Sequence, residues 1–291
     1  MRDPKALNDR EEKTTMAENA QLKRKALAER LATLPPQKRE AFLKLLQKEG
    51  IEPTKLPIVP AGDRHTNAFP LSWPQERLWF IHQLEGPSAT YNIHLVLQIS
   101  GSIRVDALEK TLDAIAQRHD ILRTTFDAVE GKPVQTIHDP VPIPGNWPLH
   151  LEDWQDWAFD SQGQPHPELE ARIQTFTRQQ AQVAFDLTIL PLTRATLLQL
   201  SPNRSMLCLE MHHIIWDAWS TGVFGQEFSQ FYQAYSQGQT PTLLPLPIQY
   251  VDYAVWQRQW LQGTAFATQI DYWKQQLADV PVLLELPSDR P

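Results

Sequence analysis

Two long apolar runs near residue 200 constrain this chain more than any other feature. Residues 192–200 and 205–212 are rich in leucine, and the four residues SPNR between them are typical of a turn. The pattern predicts an antiparallel hairpin whose apolar side chains have to be covered by other parts of the chain. We therefore expect a fold that is organised around a β-sheet.

Strand and helix patterns are mixed along the rest of the chain from residue 71. Residues 92–100, NIHLVLQIS, have the composition of a strand, whereas residues 105–119 place Leu108, Leu112 and Ile115 on one helical face. Further candidates are strands at 121–126 and 134–138, and helices at 168–185, 219–235, 250–261 and 266–277. This mixture predicts the α/β class, with a mixed sheet and flanking helices.

The N-terminal part has a different pattern. Residues 1–20 are polar and aperiodic, which predicts a frayed tail. Leucines then recur at helical spacing as far as Pro35, and a second apolar cluster lies between Pro36 and Gly50, so we expect a short helical hairpin. The segment EPTKLPIVPAGDRHTNAFP contains four prolines and little periodicity, as in an extended linker. The predicted domains are a hairpin (1–57), a linker (58–70) and a larger domain (71–291).

Charge and composition exclude several classes of function. The first 57 residues hold 13 Lys or Arg against 9 Asp or Glu, and the rest of the chain holds 14 against 25, so the larger domain is acidic. Such a domain is poorly suited to nucleic acid, because phosphate contacts require concentrated positive charge. No segment approaches the roughly 20 apolar residues of a membrane span. The single cysteine, Cys208, cannot form an internal disulfide and favours a reducing compartment. We expect a soluble cytoplasmic protein with no nucleic-acid or membrane partner.

Two adjacent histidines, His212 and His213, end the second apolar run, and Asp217 follows four residues later. Because side chains alternate along a strand, the two imidazoles should point to opposite faces, one toward a cleft and one inward. An imidazole with an ordinary pKa of about 6.5 suits general acid–base chemistry at neutral pH. A buried structural histidine is the simpler interpretation of such a pair. A metal site is the third interpretation, but diverging side chains and the missing HExxH spacing disfavour it.

Four separate segments carry a resemblance to one family. They are SWPQERLWFIHQL (72–84), RHDILRTTF (118–126), MHHIIWDAWS (211–220) and YVDYAVW (250–256). In this order they resemble the core motifs of the condensation domains of nonribosomal peptide synthetases, whose third motif has the form HHxxxDG. The segments PLPIQYVDYAVWQ and LELPSDRP resemble the connecting segments of the subtype that joins two L-residues. The resemblance covers residues 71–291.

The resemblance implies a fold like that of chloramphenicol acetyltransferase, with an active site in a tunnel between two similar lobes, of which this chain is the N-terminal one. It implies that an acceptor amine attacks a donor thioester to form an amide bond. Both acyl groups are carried on the phosphopantetheine arms of upstream and downstream carrier domains, so no cofactor is bound directly. The implied partners are these carrier domains and the C-terminal lobe.

The resemblance also implies roles for individual residues. His213 is the catalytic histidine, which takes a proton from the amine or positions it, and His212 packs behind it. Asp217 points away from the cleft and pairs with an arginine, which rigidifies the loop. Arg77 is the first choice for this arginine and Arg123 the second.

Two positions depart from the family pattern. Ala218 stands where the consensus has a glycine beside the tetrahedral intermediate. Its methyl group narrows the approach, but the backbone N–H is retained, so we expect activity to be tolerated. Trp216 stands at a position that is usually small or polar. If it faced the tunnel it would restrict acyl size; packing against the lobe is the alternative.

The family's later motifs, which build the second lobe, have no counterpart in this sequence, and neither adenylate-forming, carrier nor GxxxxGK motifs occur. We therefore expect a fragment that is inactive alone. Two other functions stay open. The hairpin of residues 1–57 could dock the preceding synthetase subunit, with its basic surface against an acidic segment. Alternatively, the domain could be a stand-alone coenzyme A-dependent acyltransferase.

Overall fold

The computed structural model describes residues 4–62, 68–141, 146–261 and 263–281. The predicted connecting segment LELPSDRP lies outside these residues. The chain divides into two compact units: Met1–Val59 together with Trp256–Pro291, and Pro60–Val255.

The first unit is helical. Helix α1 spans Pro4–Thr33, and helix α2 spans Pro36–Lys48. Ala28, Leu46 and Leu56 form a small core within this unit. The prediction of a frayed tail over residues 1–20 is wrong, because the backbone is helical from Pro4. The segment is polar, but it is rich in Ala, Glu, Lys and Arg, which are strong helix formers whatever their hydrophobicity.

Among the described residues, the second unit contains seven strands in two sheets. They are β1 (Phe69–Pro70), β2 (Asn92–Ser100), β3 (Thr124–Val129), β4 (Lys132–Ile137), β5 (Leu149–Asp153), β6 (Thr193–Ser201) and β7 (Arg204–His212). The smaller sheet has the order β1-β4-β3 and is antiparallel. The larger sheet has the order β2-β7-β6-β5, in which only the β5–β6 pair is parallel. The expected hairpin of two apolar strands is the β6–β7 pair at the centre of this sheet.

In the part of the chain that the structure describes, six helices begin in the second unit, and a third helix of the first unit follows them. They are α3 (Trp73–Glu85), α4 (Val105–Arg118), α5 (Gln155–Ala158), α6 (Leu169–Ala181), α7 (Ala218–Ser236), α8 (Tyr250–Trp260), which begins in the second unit, and α9 (Gly263–Gln276) of the first. None of the described helices is both long and apolar enough to cross a membrane.

Each face of the larger sheet has its own core. On one face Leu207, Leu209 and Met211 of β7 pack with residues of α4 and α7, including Leu112 and Phe224. On the other face Leu198 and Met206 pack with Trp154, Ile173 and Phe176. Both faces are therefore covered, and β7 carries its last residue, His212, from the centre of the sheet into the loop before α7.

Two predicted elements have different bounds in the structure, and strand β5 was not predicted. The strand predicted at 121–126 begins only at Thr124, because Asp120–Arg123 form a 3₁₀ turn. The Arg123 guanidinium donates to the carbonyls of Ala116 and His138 and holds this bend. The helix predicted at 168–185 ends at Ala181. Strand β5 escaped prediction because it is short and mostly exposed, so it lacks an apolar run.

Candidate active site

His212 is the buried member of the histidine pair. Its side chain is packed edge-on against the rings of His82 and Phe185, at centroid distances of 6.4 Å. Its Nδ1 accepts a hydrogen bond of 3.0 Å from the Ile214 backbone N–H, which places the proton of the neutral ring on Nε2. Burial, assisted by the nearby His82 and His213, lowers the pKa of His212 to about 4. His212 is therefore neutral at physiological pH and supports the loop through its hydrogen bond with the Ile214 backbone N–H.

His213 is exposed and is held by two contacts. Its backbone N–H donates to the Tyr91 carbonyl at 2.8 Å, and its Nδ1 lies 2.7 Å from the Trp216 carbonyl oxygen. A carbonyl oxygen only accepts, so Nδ1 must carry the proton. The Nε2 lone pair has no partner among the described residues. The loop thus fixes the imidazole in the tautomer that can accept a proton through Nε2.

Asp217 caps helix α7. Its Oδ1 accepts hydrogen bonds from the Ser220 backbone N–H at 2.8 Å and from the Ser220 hydroxyl at 2.7 Å, and the Asp217 N–H donates back to Ser220 Oγ. Partial burial raises the pKa of the Asp217 carboxyl, but the Ser220 hydrogen bonds outweigh it, so the pKa lies below its ordinary value. The aspartate therefore fixes the start of the helix that follows the histidine loop.

The predicted ion pair of Asp217 with an arginine is not found. Arg77 of α3 is exposed, and Arg123 is bound to Asp120 at 2.8 Å and to buried carbonyls. Neither lies within salt-bridge distance of Asp217 in the described residues. The N-cap position explains the difference, because a carboxylate there finds backbone N–H donors one turn away and needs no distant cation.

Trp216 and Ala218 flank Asp217 but point to different surroundings. Trp216 is buried, its Nε1 donates to Thr221 Oγ1 at 2.9 Å, and its ring contacts Trp147 and Phe224. The ring therefore packs against the lobe, which is one of the two predicted placements. Ala218 is exposed and is the first residue of α7, where a backbone N–H has no intrahelical partner.

The first and fourth motifs support the histidine loop. Gln75 forms a capping box with Ser72 at the start of α3, and its side-chain amide reaches the Ile214 carbonyl at 3.4 Å. The Ser72 hydroxyl lies 3.0 Å from the Tyr250 hydroxyl at the start of α8. These two contacts connect the starts of α3 and α8 with the histidine loop, although 139 positions of sequence separate Gln75 from Ile214.

The second motif is anchored by two residues that sequence reasoning missed. Glu227 of α7 binds Arg118 Nε at 2.9 Å and His119 Nε2 at 2.6 Å. Gln249 donates to the Arg118 carbonyl and accepts from the Asp120 N–H. Glu227 lies on the buried face of α7, whose other buried residues are aromatic. A charged residue at such a position requires a partner, and this was the signal in the sequence that could have identified it.

The three candidate metal ligands do not converge. His212 Nδ1 is bound to a backbone N–H, His213 Nδ1 to a carbonyl, and Asp217 to Ser220. In the part of the chain that the structure describes, no group of three or more His, Cys, Asp or Glu side chains is placed to hold a metal ion. The geometry instead favours a single exposed imidazole with a fixed tautomer.

Comparison with known proteins agrees with this fold and site. The family model of the condensation domain matches residues 65–291, and the chain belongs to this family. It is 42% identical to one of the proteins that make up the linear gramicidin synthase of Brevibacillus parabrevis, over 238 residues, which is 82% of this chain and 3% of that protein. The resemblance to nonribosomal peptide synthetase condensation domains is confirmed.

Solved structures confirm the predicted chloramphenicol acetyltransferase-like lobe. The X-domain from teicoplanin biosynthesis is similar with a TM-score of 0.65 and 30% identity, over 81% of this chain and 48% of that one. The first condensation domain of the calcium-dependent antibiotic synthetase, in complex with a substrate analogue, shares the fold with a TM-score of 0.66 and 19% identity, over 76% and 50%. This chain therefore spans about half the length of these solved chains.

Proposed function

We propose that this chain forms the N-terminal half of an amide-forming condensation domain and that His213 acts on the attacking amine. The observation that carries the proposal is the fixed tautomer of His213, whose Nδ1–H is bound to the Trp216 carbonyl. In the proposed step the acceptor nitrogen attacks the donor thioester carbonyl, the C–N bond forms and the C–S bond breaks. The amine proton passes by way of His213 Nε2 to the departing thiolate.

The start of α7 is suited to the charge that develops on the carbonyl oxygen. Asp217 uses its carboxylate on Ser220, and the Ala218 N–H has no hydrogen-bond acceptor among the described residues. A helix N-terminus carries partial positive charge and free N–H groups. We assign the Ala218 N–H to stabilisation of the tetrahedral oxyanion, a role that a backbone group keeps when alanine replaces glycine.

Helix α3 offers a surface for the carrier domains that would deliver the thioesters on phosphopantetheine arms. Trp73, Arg77, Phe80 and Leu84 are all exposed and recur at intervals of four, three and four residues, so they share one helix face. A mixed apolar and cationic stripe of this kind is typical of a surface that binds another protein. The other proposed partner is the C-terminal lobe, which would close the tunnel.

The test compares carrier-bound and free substrates. This chain completed with a C-terminal lobe is incubated with donor and acceptor aminoacyl groups on carrier domains, and the dipeptidyl thioester is followed by mass spectrometry. Product should form from the carrier-bound pair and not from free coenzyme A thioesters. Equal rates from free thioesters would instead indicate a stand-alone acyltransferase. The chain without a second lobe should form no product above background, because alignment of two tethered reactants can supply about 7–11 kcal/mol of barrier reduction.

A second candidate role concerns the hairpin of residues 1–57. Lys23, Arg24 and Lys25 on α1 are exposed, which favours an acidic partner segment on a preceding synthetase subunit. Deletion of residues 1–57 should weaken binding to that subunit and leave Pro60–Val255 folded, since the latter unit has its own core. The double variant Lys23→Glu, Lys25→Glu should weaken binding in the same way. Unchanged affinity in both proteins would leave the hairpin without a docking role.

A further inference from the structure

A cavity of about 320 Å³ lies where three of the four motifs meet. The second motif contributes His119 and Leu122, the third contributes Trp216 and Trp219, and the fourth contributes Tyr250. The first motif reaches the same place through the Ser72–Tyr250 hydrogen bond. The volume of the cavity falls within the range of small-molecule pockets, which begins at about 300 Å³.

The walls of the cavity are mainly apolar. The aliphatic side chains that line it come from α4, the 3₁₀ turn, the histidine loop, α7 and the segment before α8, and they are Ile115, Ile121, Leu122, Ile215, Val223, Leu246 and Ile248. Aromatic rings also line it, namely those of Trp216, Trp219, Phe224, Tyr250 and Tyr253. A cavity with such walls gains most from an occupant that removes apolar surface from water.

The polar side chains of the lining are already used within the protein. His119 Nε2 binds Glu227 at 2.6 Å, and Gln249 binds the backbone of Arg118 and Asp120 at 2.8 and 3.1 Å. The Tyr250 hydroxyl binds Ser72. A charged or amide group that entered would lose its water hydrogen bonds and find few replacements. The cavity therefore discriminates against polar occupants as well as favouring apolar ones.

Part of the cavity wall belongs to the same loop as the proposed catalytic imidazole. The Trp216 carbonyl accepts the hydrogen bond that fixes His213, while the Trp216 ring lines the cavity. Trp219 and Ser220, which begin α7 after the cap Asp217, also line it. A group bound in the cavity is thus held by the residues that directly follow His213.

We propose that this cavity receives the apolar side chain, aromatic or branched aliphatic, of one of the two aminoacyl substrates. The inference rests on the proposed function for the identity of the ligand, whereas the cavity itself lies entirely within Pro60–Val255. Val223 is suited to testing the size of the cavity, because it lines the cavity from α7 without belonging to the histidine loop. The donor and the acceptor can each supply such a side chain, and the experiment distinguishes them.

The first experiment measures binding to the chain as it stands. The probes are non-hydrolysable thioether analogues of glycyl-, glutamyl- and phenylalanyl-pantetheine, and the dissociation constants are measured by calorimetry. The phenylalanyl probe should bind at least about tenfold more tightly than the other two. Val223→Phe, which fills the cavity, should remove this preference, whereas Val129→Phe, a matched change at an exposed position of β3, should keep it.

Val223→Ala covers the case in which Val223→Phe fails to fold. It enlarges the cavity and should shift the preference toward a larger naphthylalanyl probe. Equal binding of all probes to the wild type, or a preference unchanged in both Val223 variants, would overturn the proposal. The proposed function is tested separately in the completed domain. If amide forms without any side-chain preference, the cavity proposal alone is contradicted. If a side-chain preference is found without amide formation, the proposed function alone is contradicted. Loading phenylalanine on the donor or on the acceptor carrier identifies which substrate occupies the cavity.

Discussion

The two histidines that follow one another at the end of β7 lie in opposite surroundings. His212 is 2% exposed and faces the rings of His82, Tyr91 and Phe185, whereas His213 is exposed and is hydrogen-bonded to the backbone carbonyls of Tyr91 and Trp216. The difference arises because neighbouring side chains at the end of a strand point to opposite sides, so that one is buried and the other is exposed. A buried imidazole whose pKa is held low cannot exchange protons with a substrate at neutral pH, whereas the proposed function requires an exposed imidazole with a fixed tautomer.

The same contrast extends to the charged residues around the loop. On the buried side Glu227 joins Arg118 and His119 in a network that is largely removed from water. On the exposed side the Asp217 carboxylate is hydrogen-bonded to Ser220 in the first turn of α7. Substitutions on the buried side should therefore change stability, and substitutions on the exposed side should change activity with little change in stability.

The largest expected effect is that of His213→Ala. In the completed domain the rate of dipeptide formation should fall by about 10²–10⁴, the usual contribution of general acid–base assistance. The melting temperature should stay near that of the wild type, because the His213 side chain is exposed. His150→Ala, a matched change at an exposed position of β5, should alter neither quantity. Single-turnover rates that match the wild type would remove His213 from the mechanism.

Glu227→Ala should produce the next largest effect, on stability. It leaves the half-buried Arg118 and His119 without their carboxylate, and breaking a buried pair in this way typically costs about 3–5 kcal/mol. We expect about 3 kcal/mol, since the Arg118 and His119 side chains both keep some access to solvent. Urea denaturation of the chain measures it, with Glu152→Ala at an exposed position as the control. Loss of less than about 0.5 kcal/mol would show that the network does not stabilise the fold.

Acidification should test the buried histidine. The unfolded chain binds a proton at His212 near its ordinary pKa of 6.5, while the folded chain resists until pH about 4. The contribution of the neutral His212 to the free energy of unfolding is therefore fully present above pH 6.5. It is lost as the pH falls toward 4, and the total loss is about 3 kcal/mol. His212→Asn keeps a side-chain acceptor for Ile214 but does not titrate, so its stability should fall less over this range. Parallel pH profiles of the two proteins would contradict the assignment.

Much of the fold could be predicted because its central elements have strong periodic signals. Strand β2 coincides with residues 92–100, and α4 begins at the predicted Val105. Strand β5 and the helical start of α1 have weak or misleading hydrophobic patterns, since the first is an exposed short strand and the second a polar helix. Hydrophobic periodicity detects only elements with a buried side.

The candidate site was harder to predict than the sheet. Strand alternation indicated that the two imidazoles diverge, which needs only local geometry. The partners of Asp217 and Glu227 depend on what lies nearby in space. Arg118 is 109 positions from Glu227, and no local pattern links them. For Asp217 the resemblance implied an ion pair, and the helix cap follows only from the position of α7 in the structure.

The smallest expected effect separates these two roles of Asp217. As an N-cap, Asp217 should lose about 1 kcal/mol of stability when changed to alanine, far less than the about 3–5 kcal/mol of a broken buried ion pair. Asparagine and serine are also good N-caps, so Asp217→Asn and Asp217→Ser should cost less than Asp217→Ala. Arg77→Ala, made alone and together with Asp217→Ala, completes a double-mutant cycle measured by urea denaturation. The two changes should add within about 0.3–0.5 kcal/mol, as independent sites do. A coupling well above that value, or an Asp217→Asn variant as unstable as Asp217→Ala, would show that charge rather than capping holds the loop, and the predicted arginine pair would then replace the helix cap as the support of His213.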